Sequence, residues 1–372
     1  MRLLLLNQFV PPEGAPTARL MGDLADHLRE QGHDVVCIGA AKNYRQSASG
    51  MAARLFRDLR AHLVLAWKTL TAGPTDWIVC LSDPPGLPFT ASILARLKGA
   101  RLAHWAMDVY PDVAVALGAL PDGSPARWVR RAMRWGYQSC ALLAALDVDM
   151  ATRIRTEPGP GVVTCPPWPP ALPDNPTPCG ALRNLRAQHP GARLWLYSGN
   201  LGRAHEFECL LRAQSDLEAR GSSWHLVFQG GGAGRQAARR LADQLQLKQC
   251  HWLPYADDAE FLDSMLSADV LAATQRESMK GLIWPSKLAL MQWVSRPILW
   301  VGPEAGAIAI DLRQRGGDHG VFRPSESAQI ADWIGQQTAD RADIETGTIR
   351  ERITDSRARG LRQWTQWLQI EE

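Results

Sequence analysis

The chain has 372 residues, 46% of them hydrophobic and 21% charged, with a formal net charge of +3. This composition excludes disordered and fibrous chains and is typical of a soluble globular protein of about two domains. The small net charge excludes a chain built mainly for binding nucleic acid, and no apolar run reaches the ~18 residues of a membrane span. Seven scattered cysteines, without a CxxC pair or zinc spacing, predict reduced thiols and a cytoplasmic protein.

Strand-like apolar runs alternate with helical patterns through the first half of the chain. The opening leucine run resembles a signal sequence, but Asn7 and Gln8 end it early, so we interpret it as a buried strand. The alternation predicts a parallel sheet covered by helices. The predicted strands are residues 3–6, 35–38, 76–81 and 101–105, and the predicted helices are residues 17–31 and 88–98.

A proline-rich stretch separates this half from a second α/β series. Nine prolines between residues 157 and 178 exclude a helix or a central strand there. We predict an N-terminal domain, a linker, a C-terminal domain and a terminal helix that packs back on the N-terminal domain, at residues 1–165, 166–190, 191–350 and 351–372. The second series has predicted strands at residues 194–197, 224–229, 251–253, 270–273 and 297–301, and a final helix at 353–368.

A glycine-rich turn opens the second series. The sequence YSGNLGR at residues 197–203 follows the predicted strand 194–197 and precedes a helical pattern at 206–219. Glycines at such a turn let backbone N–H groups approach an anion, and the start of a helix adds a favourable dipole. Together with the positive charge of Arg203, the turn predicts a phosphate site in the C-terminal domain.

Four segments, in chain order, resemble motifs of the retaining, family-4-type glycosyltransferases of the GT-B fold. They are NQFVPPEGAPT at residues 7–17, DVYPD at 108–112, SGNLGR at 198–203 and PSKL at 285–288, the last followed by Arg296 and Pro297. In that family they correspond to the loop after the first strand, an acidic-aromatic-proline segment of the surface-polysaccharide branch, the donor-phosphate loop and the late donor-site helix. The chain resembles most the O-antigen, capsule and exopolysaccharide sugar transferases of the fucosamine-transferase type.

The resemblance implies an α/β fold of two Rossmann-like domains that face each other across a cleft, and a hexosyltransferase activity. Such an enzyme moves a sugar from a nucleotide-diphosphate donor, held by the C-terminal domain, to a lipid-linked or polysaccharide acceptor, held by the N-terminal domain. Cations must stabilise the charge of the departing diphosphate. We assign this role to Arg203, Lys280 and Lys287, although both lysines also fit solvated surface positions. The other expected donor contacts are Gly199, Asn200, Gly202, Gly230, Tyr255, Glu277 and Ser286.

On the acceptor side, Asp108 follows a predicted strand, and ligands of α/β sheets gather at the carboxyl ends of strands. A carboxylate there orients an acceptor hydroxyl or steadies positive charge at the sugar C1; a helix cap beside Pro111 is the alternative. Glu13, Gly14 and His104 are further expected contacts, with a turn glycine and a packing histidine as alternatives. No protein base is firmly assigned in that family, and the resemblance therefore leaves the departing phosphate as a candidate to take the acceptor proton.

A glycine run at residues 230–234 also resembles a dinucleotide fingerprint, because it follows a predicted strand and opens a helix. It lacks the third glycine at the required spacing, so we interpret it as a tight turn that lines the nucleotide site. No cofactor is therefore expected. No metal is expected either, because no group of His, Asp and Glu has ligand spacing in the sequence and this fold holds a diphosphate without one.

The chain departs from the family where two glutamates, eight residues apart, are usual. Aligned on the PSKL segment and Pro297, their places hold Leu282 and Leu290, and Ser295 replaces the usual glycine. Glu277 is the nearest acid and is expected to contact sugar hydroxyls instead. One alternative is therefore a catalytically impaired GT-B protein that binds a glycan or a partner. Another is a GT-B sugar-nucleotide epimerase, although few of the carboxylates and histidines that an epimerase needs are evident.

Two basic stretches predict a membrane surface as a partner. Residues 54–68 place Leu55, Leu59 and Leu63 on one side of a helix and basic residues on the other, and residues 127–135 add four arginines and two tryptophans. Anionic lipid attracts such residues at roughly 1 kcal/mol each, and tryptophan suits the headgroup layer. We expect peripheral attachment to the inner face of the cytoplasmic membrane; ordinary solvated helix faces are the alternative.

Overall fold

The computed structural model describes residues 1–41, 51–172, 180–257, 260–338 and 346–368. The chain divides into two compact units. The N-terminal unit comprises Met1–Trp168, Gly281–Trp284 and Arg357–Glu372, and the C-terminal unit comprises Pro169–Lys280 and Pro285–Ser356. The chain therefore returns twice to the N-terminal unit after it has left it.

A six-stranded sheet forms the centre of the N-terminal unit. Its strands are β1 (Arg2–Leu6), β2 (Asp34–Ile38), β3 (Trp77–Cys80), β4 (Arg101–Trp105), β5 (Leu142–Ala145) and β6 (Val162–Thr164). Its helices are α1 (Pro16–Glu30), α2 (Met51–Thr71), α3 (Leu87–Lys98), α4 (Asp112–Ala116), α5 (Ser124–Gln138) and α6 (Val148–Ile154). The strand order is β2-β1-β3-β4-β5-β6, and every pairing is parallel.

The central strands of this sheet are buried on both faces, which explains their unbroken apolar sequences. Leu3 to Leu6 of β1 are fully buried, and β1 pairs in register with both neighbours, Leu3 with Val35 on one side and with Trp77 on the other. A parallel strand covered by helices on both faces cannot alternate polar and apolar residues. Because β1, β3 and β4 run parallel, their carboxyl ends lie at one edge of the sheet.

The end of the chain completes the core of the N-terminal unit. Trp105 of β4 packs against Trp168 and Trp364, with ring centroids 5.1 and 4.9 Å away. The carboxylate of Asp23 on α1 accepts a 2.8 Å hydrogen bond from the Trp168 indole and another from the guanidinium of Arg357. These contacts hold the last residues of the terminal helix against α1.

The short segment Gly281–Trp284 also belongs to the N-terminal unit. Leu282 lies in its core, and its carbonyl accepts a 2.9 Å hydrogen bond from the N–H of Val109. Ile283 forms an antiparallel bridge with Asp108. The chain after β4 is thereby anchored by residues that lie far away in sequence.

The C-terminal unit is built around a second six-stranded parallel sheet. Its strands are β7 (Arg193–Ser198), β8 (Trp224–Gln229), β9 (Cys250–Leu253), β10 (Val270–Thr274), β11 (Ile298–Val301) and β12 (Gly320–Phe322). Its helices are α7 (Gly180–Gln188), α8 (Glu208–Ala219), α9 (Arg235–Gln244), α10 (Phe261–Ser267), a 3-10 turn (Glu277–Met279), α11 (Leu288–Met291), α12 (Ala307–Gln314), α13 (Ser327–Gln336) and the first part of α14 (Thr346–Trp367). The strand order is β12-β11-β10-β7-β8-β9.

The predicted α/β class with parallel sheets is confirmed, and each predicted strand is present with ends shifted by at most one residue. Three short strands, β5, β6 and β12, were not predicted. The alanine-rich sequence LLAA of β5 is as typical of a helix as of a strand. Helix α7 occupies part of the predicted linker, because the prolines end at residue 178 and leave the following residues free to form a helix.

Candidate functional site

Two glycine turns meet at the carboxyl edge of the C-terminal sheet. The neighbouring strands β7 and β8 end in register at Ser198 and Gln229, and each is followed by a glycine, Gly199 with φ 125° and Gly230 with φ 127°. A β-carbon on Gly230 would lie 2.2 Å from the carbonyl oxygen of Gly199. Only glycine combines this backbone conformation with so close an approach. The two neighbouring turns therefore depend on residues without side chains.

The backbone of the Gly199 turn differs from the predicted set of free donors. The N–H of Gly199 donates to the carbonyl of Gln229 at the end of β8, at 2.8 Å, and the N–H of Leu201 donates to the carbonyl of Gly231 in the turn that follows, at 2.7 Å. Those of Asn200 and Gly202 have no hydrogen-bond partner in the described part of the chain. The expectation that the whole turn offers its N–H groups to a ligand was therefore too broad, because the sheet hydrogen bonding continues past the end of β7.

Lys287 places a buried positive charge beneath this turn. Its side chain is 8% exposed, and a β-carbon on Gly199 would lie 3.4 Å from its Cε and 3.6 Å from its Nζ. The Nζ lies 3.3 Å from the ring centroid of Tyr197 and has no hydrogen-bond partner among the described residues. Burial lowers the pKa of the Lys287 ammonium well below its ordinary value. Because an unpaired buried ammonium is costly, its position points to an anionic ligand.

His205 completes the polar surroundings of Lys287. Its Nδ1 donates to the carbonyl oxygen of Thr274 at 2.6 Å, and its ring meets that of Tyr197 edge-on at 6.1 Å. Burial, and then the charge of Lys287, lower the pKa of His205 to about 4. The imidazole is therefore neutral at physiological pH and adds no second positive charge beside Lys287.

Tyr255 and Asn200 border the second glycine turn. A β-carbon on Gly231 would lie 2.9 Å from Cε2 of Tyr255, and one on Gly232 would lie 2.3 Å from Oδ1 of Asn200. The Tyr255 side chain nevertheless keeps 51% of its surface exposed. The structure therefore brings together five of the predicted donor residues: Gly199, Asn200, Gly230, Tyr255 and Lys287.

The other predicted donor residues have more ordinary surroundings. Arg203 is exposed in the loop between β7 and α8. Lys280 is half-buried and donates to the carbonyl oxygen of Ala305 at 2.9 Å, so part of its hydrogen-bonding capacity serves the fold. Glu277, in the 3-10 turn after β10, and Ser286, directly before Lys287, are exposed. Their roles toward a donor stay predictions.

The leucines in place of the usual glutamates are core residues. Leu282 is 3% exposed and belongs to the core of the N-terminal unit, and Leu290 of α11 is 1% exposed. An unpaired carboxylate in either place would cost several kcal/mol. Both buried positions are therefore suited to an apolar side chain.

The N-terminal unit carries a pair of carboxyl groups at the carboxyl edge of its sheet. Asp83 follows β3 and Asp108 follows β4, and the Ser82 hydroxyl accepts hydrogen bonds from the N–H groups of Met107 and Asp108 at 2.8 and 3.2 Å. Burial raises the pKa of Asp108 to about 6. Burial, followed by the charges of Asp108 and Asp58, raises the pKa of Asp83 to about 7. Both groups can thus hold or release a proton near neutral pH.

Asp83 and Gln8 were missed by the sequence-based prediction. The edge rule that identified Asp108 applies equally to Asp83, which comes three residues after β3. Gln8 follows β1, its N–H donates to the Asp83 carbonyl at 2.6 Å, and both side-chain polar atoms are buried without a hydrogen-bond partner among the described residues. Glu13 and Gly14, in the same loop, are half-buried and exposed. A β-carbon on Gly14 would meet open space, so their acceptor roles stay predictions.

The acceptor-side prediction for His104 needs correction. Its side chain is fully buried inside β4, where Nδ1 donates to the Cys80 carbonyl at 3.0 Å and the ring stacks on Tyr137 with centroids 5.6 Å apart. Burial lowers the pKa of His104 to about 4. The residue lies within the strand rather than beyond its end, so we assign it to the core.

Helix α2 turns its apolar side outward. Leu55, Leu59 and Leu63 are 71%, 58% and 64% exposed, whereas Ala61, Leu65 and Thr69 of the same helix are buried. An ordinary amphipathic helix buries its large apolar residues. Trp67, further along α2, and Trp128 on α5 are exposed as well. In the part of the chain described here, no helix has both the length and the apolar character needed to cross a bilayer.

Comparison with known proteins identifies the fold. No protein-family model matches the chain, and no curated protein sequence does. Solved structures do match over the whole chain. HepE of Anabaena in complex with UDP has 16% identity, covers 100% of both chains and gives a TM-score of 0.68. Sucrose-phosphate synthase from Thermosynechococcus elongatus has 13% identity, covers 100% of this chain and 99% of its own, and gives 0.70.

A third neighbour is WaaG, a glycosyltransferase of lipopolysaccharide biosynthesis, with 15% identity, 100% and 96% coverage and a TM-score of 0.60. HepE has also been solved with UDP and glucose and with UDP-glucose. These structural neighbours are GT-B glycosyltransferases. At such identities the likeness establishes the fold, and the two parallel sheets with their helices match it.

Proposed function

We propose that the chain is a nucleotide-sugar-dependent glycosyltransferase whose C-terminal unit binds the diphosphate of the donor. The observation that carries the proposal is the unpartnered, buried ammonium of Lys287 beneath the Gly199 turn. The complexes of HepE with UDP and UDP-glucose support a uridine nucleotide as the first donor to test.

The chemistry follows from the charge that develops during transfer. When the bond from the sugar C1 to the diphosphate breaks, negative charge accumulates on the phosphate oxygens. A cation that has already lost its water stabilises that charge more strongly than a solvated one. Lys287 fits this role, and the free N–H groups of Asn200 and Gly202 offer further donors. The exposed ring of Tyr255, beside the second glycine turn, offers a face for the nucleobase.

The acceptor belongs, in this proposal, to the N-terminal unit. Asp83 and Asp108 carry carboxyl groups whose pKa values of about 7 and about 6 suit hydrogen bonding to a sugar hydroxyl. The unpartnered amide of Gln8 offers two more polar contacts near Asp83. Transfer with retention at C1, a hexosyl donor and a lipid-linked or polysaccharide acceptor of cell-surface glycan synthesis are the finer parts of the proposal. They rest on the resemblance of the four motifs.

Attachment to a membrane surface is a further part of the proposal. The exposed stripe of Leu55, Leu59, Leu63 and Trp67 on α2 supports it, together with the exposed Trp128 on basic helix α5. Apolar and aromatic side chains in such helices enter the boundary between headgroups and acyl chains. We place the protein on the inner face of the cytoplasmic membrane, where a lipid-linked acceptor would be reached.

A catalytically impaired glycan-binding or partner-binding protein is the second candidate. The observation in its favour is that Leu282 and Leu290 are buried where related enzymes carry glutamates. Such a protein would bind a nucleotide sugar or a glycan without turning over. Binding and turnover must therefore be measured separately.

The test measures UDP binding by titration calorimetry and UDP release from UDP-sugars by a coupled assay. We expect the wild type to bind UDP more tightly than uridine, and Lys287→Met to weaken UDP binding roughly 10- to 100-fold, as expected for loss of a charge-assisted contact. Lys248→Met, which changes an exposed lysine of the same unit, serves as the control. Equal affinity of the wild type and Lys287→Met for UDP would contradict the proposal. Binding without turnover of any UDP-sugar would favour the second candidate.

A further inference from the structure

Three histidines meet in the C-terminal unit, away from the glycine turns. His189 follows α7, and His225 and His251 are the second residues of β8 and β9. One ring nitrogen from each can be chosen so that all three lie within 4.8 Å of one another. His225 Nδ1 and His251 Nε2 are 2.9 Å apart. The three residues are scattered over residues 189–251, so no short motif in the sequence predicts the cluster.

The fold brings these side chains together at the amino ends of the strands. In the parallel pair of β8 and β9, His225 and His251 lie near the start of each strand, whereas the Gly199 and Gly230 turns follow the ends of β7 and β8. The cluster is thus at the opposite edge of the sheet from the proposed donor site. It serves no step of the proposed reaction.

The backbone around the cluster is well fixed. The N–H of His189 donates to the Leu185 carbonyl at 3.1 Å, and its carbonyl accepts from the N–H of Ala192 at 3.0 Å. The Glu218 carboxylate accepts from the N–H groups of Lys248 and Gln249 at 2.9 and 2.8 Å, just before β9. The three imidazoles therefore start from a preformed arrangement rather than from a mobile loop.

We propose that His189, His225 and His251 form a binding site for a divalent transition-metal ion such as Zn²⁺. Three imidazole nitrogens are a ligand set that suits Zn²⁺, Ni²⁺ and Cu²⁺, and a fourth position remains for water. In a tetrahedral zinc site two such nitrogens are roughly 3.3 Å apart. The 2.9 Å pair is close to that value, and one ring nitrogen of His189 lies within 4.8 Å of the other two rings' nitrogens.

The rival explanation is a plain hydrogen bond between His225 and His251, with His189 packed against both rings.

The bound ion would join three separate elements: α7, β8 and β9. Because it binds the folded chain and not the unfolded one, it should raise the melting temperature by an amount that grows with the logarithm of the ratio of ion concentration to dissociation constant. It should do so without UDP. The proposal therefore stands or falls independently of the proposed transferase activity.

The experiment uses the full chain without a polyhistidine tag, stripped with a chelator and titrated with Zn²⁺ and with Co²⁺. We expect one ion per chain, a rise in melting temperature, and the visible absorption of a Co²⁺ ion in a four-coordinate site. His251→Gln and, separately, His189→Gln should weaken binding at least about 10-fold. His33→Gln removes a histidine from the N-terminal unit and should change nothing.

Circular dichroism of the variants shows whether they are folded, and His189, at a helix end and half-buried, is the safer position. Absence of saturable binding by the wild type would overturn the proposal. Equal affinity of the wild type and a folded His189→Gln would overturn it as well, because the ion would then bind elsewhere.

Discussion

The Nζ of Lys287 lies 3.3 Å from the centre of the Tyr197 ring and makes no hydrogen bond to any described residue. The cation–π interaction with the ring face offsets part of the lost hydration energy. A desolvated contact of this kind contributes about 2 kcal/mol. Removing an ammonium from water costs several kcal/mol. The fold thus maintains a charge at a net cost in stability, which is the pattern of a residue kept for binding.

Replacement of this lysine should therefore stabilise the free protein. Lys287→Met keeps the length of the side chain and removes the charge, so we expect the free energy of unfolding to rise by on the order of 1–3 kcal/mol at pH 7. Urea unfolding of the wild type and the variant measures it. Lys248→Met, at an exposed position, should leave the stability within about 0.5 kcal/mol. A clear loss of stability in Lys287→Met would mean that the ammonium supports the fold.

The stability gain of Lys287→Met should depend on pH in a defined direction. The folded-state pKa of Lys287 is below the ordinary value of 10.5. At pH values below the folded-state pKa, Lys287 is charged in both the folded and the unfolded chain, and the full cost of burying the ammonium lowers the stability of the wild type. Between the folded-state and the unfolded-state pKa, only the unfolded chain holds the proton, so the wild type gains stability as pH rises. The difference between variant and wild type should shrink towards pH 10.5, and a difference that grows with pH would contradict the assignment.

The Gly230 turn should tolerate no side chain. Gly230→Ala places a β-carbon 2.2 Å from the Gly199 carbonyl oxygen at a φ of 127°, so we expect a loss of more than about 2 kcal/mol in unfolding free energy and of UDP binding. The matched control is Gly347→Ala on α14, where a β-carbon meets open space. That change should stabilise slightly, because alanine favours a helix by up to about 1 kcal/mol. Similar stabilities of the two variants would show that the turn can relax.

Asp83→Asn should stabilise the protein above neutral pH. The folded-state pKa of Asp83 is raised from 3.8 to about 7. Between these values the folded chain holds a proton that the unfolded chain releases, so the wild type loses stability as pH rises. At pH 8 the variant should be more stable by on the order of 2 kcal/mol, and at pH 4 the two should be equal. Glu30→Gln, at an exposed end of α1, should show no such dependence when unfolding is followed at both pH values.

The outward stripe of α2 should govern attachment to lipid. Leu63→Glu changes a residue that is 64% exposed, so its stability should stay within about 0.5 kcal/mol of the wild type. Its sedimentation with phosphatidylglycerol vesicles should fall several-fold, because the apolar contact is replaced by a charge that anionic lipid repels. Ile310→Glu, an exposed apolar position on α12 of the other unit, controls for added charge. Equal loss in both variants would remove α2 from the proposal.

The sequence predicted those features of the fold and the site that depend on local pattern. Continuous apolar runs such as Leu3 to Leu6 identified buried parallel strands, and the glycines at 199 and 230 identified turns at strand ends. The burial of Lys287 could not be predicted, because the four-residue helix α11 that follows it has no face that periodicity could define. Packing of distant segments decides such a position.

Two further differences have the same physical origin. The leucines of α2 have a helical spacing that predicts one apolar side, but spacing alone cannot state whether that side meets the core or the solvent. His189, His225 and His251 are brought together by the parallel pairing of β8 with β9 and by the position of α7. Contacts set by topology leave no short-range trace in a single sequence. Asp83, in contrast, could have been predicted from the sequence, because the rule that ligands gather at the carboxyl ends of strands applies to it as it does to Asp108.

The return of Gly281–Trp284 and of residues 357–368 to the N-terminal unit has a consequence for recombination between related chains of this fold. In a hybrid made by a single crossover near residue 168, the N-terminal unit would have to pack around Leu282 and Trp364 of the other parent, and both residues lie in its core. An exchange of one unit between related chains would therefore have to include these two segments together with residues 1–168. Three pieces of the gene, rather than one, encode what folds as the N-terminal half.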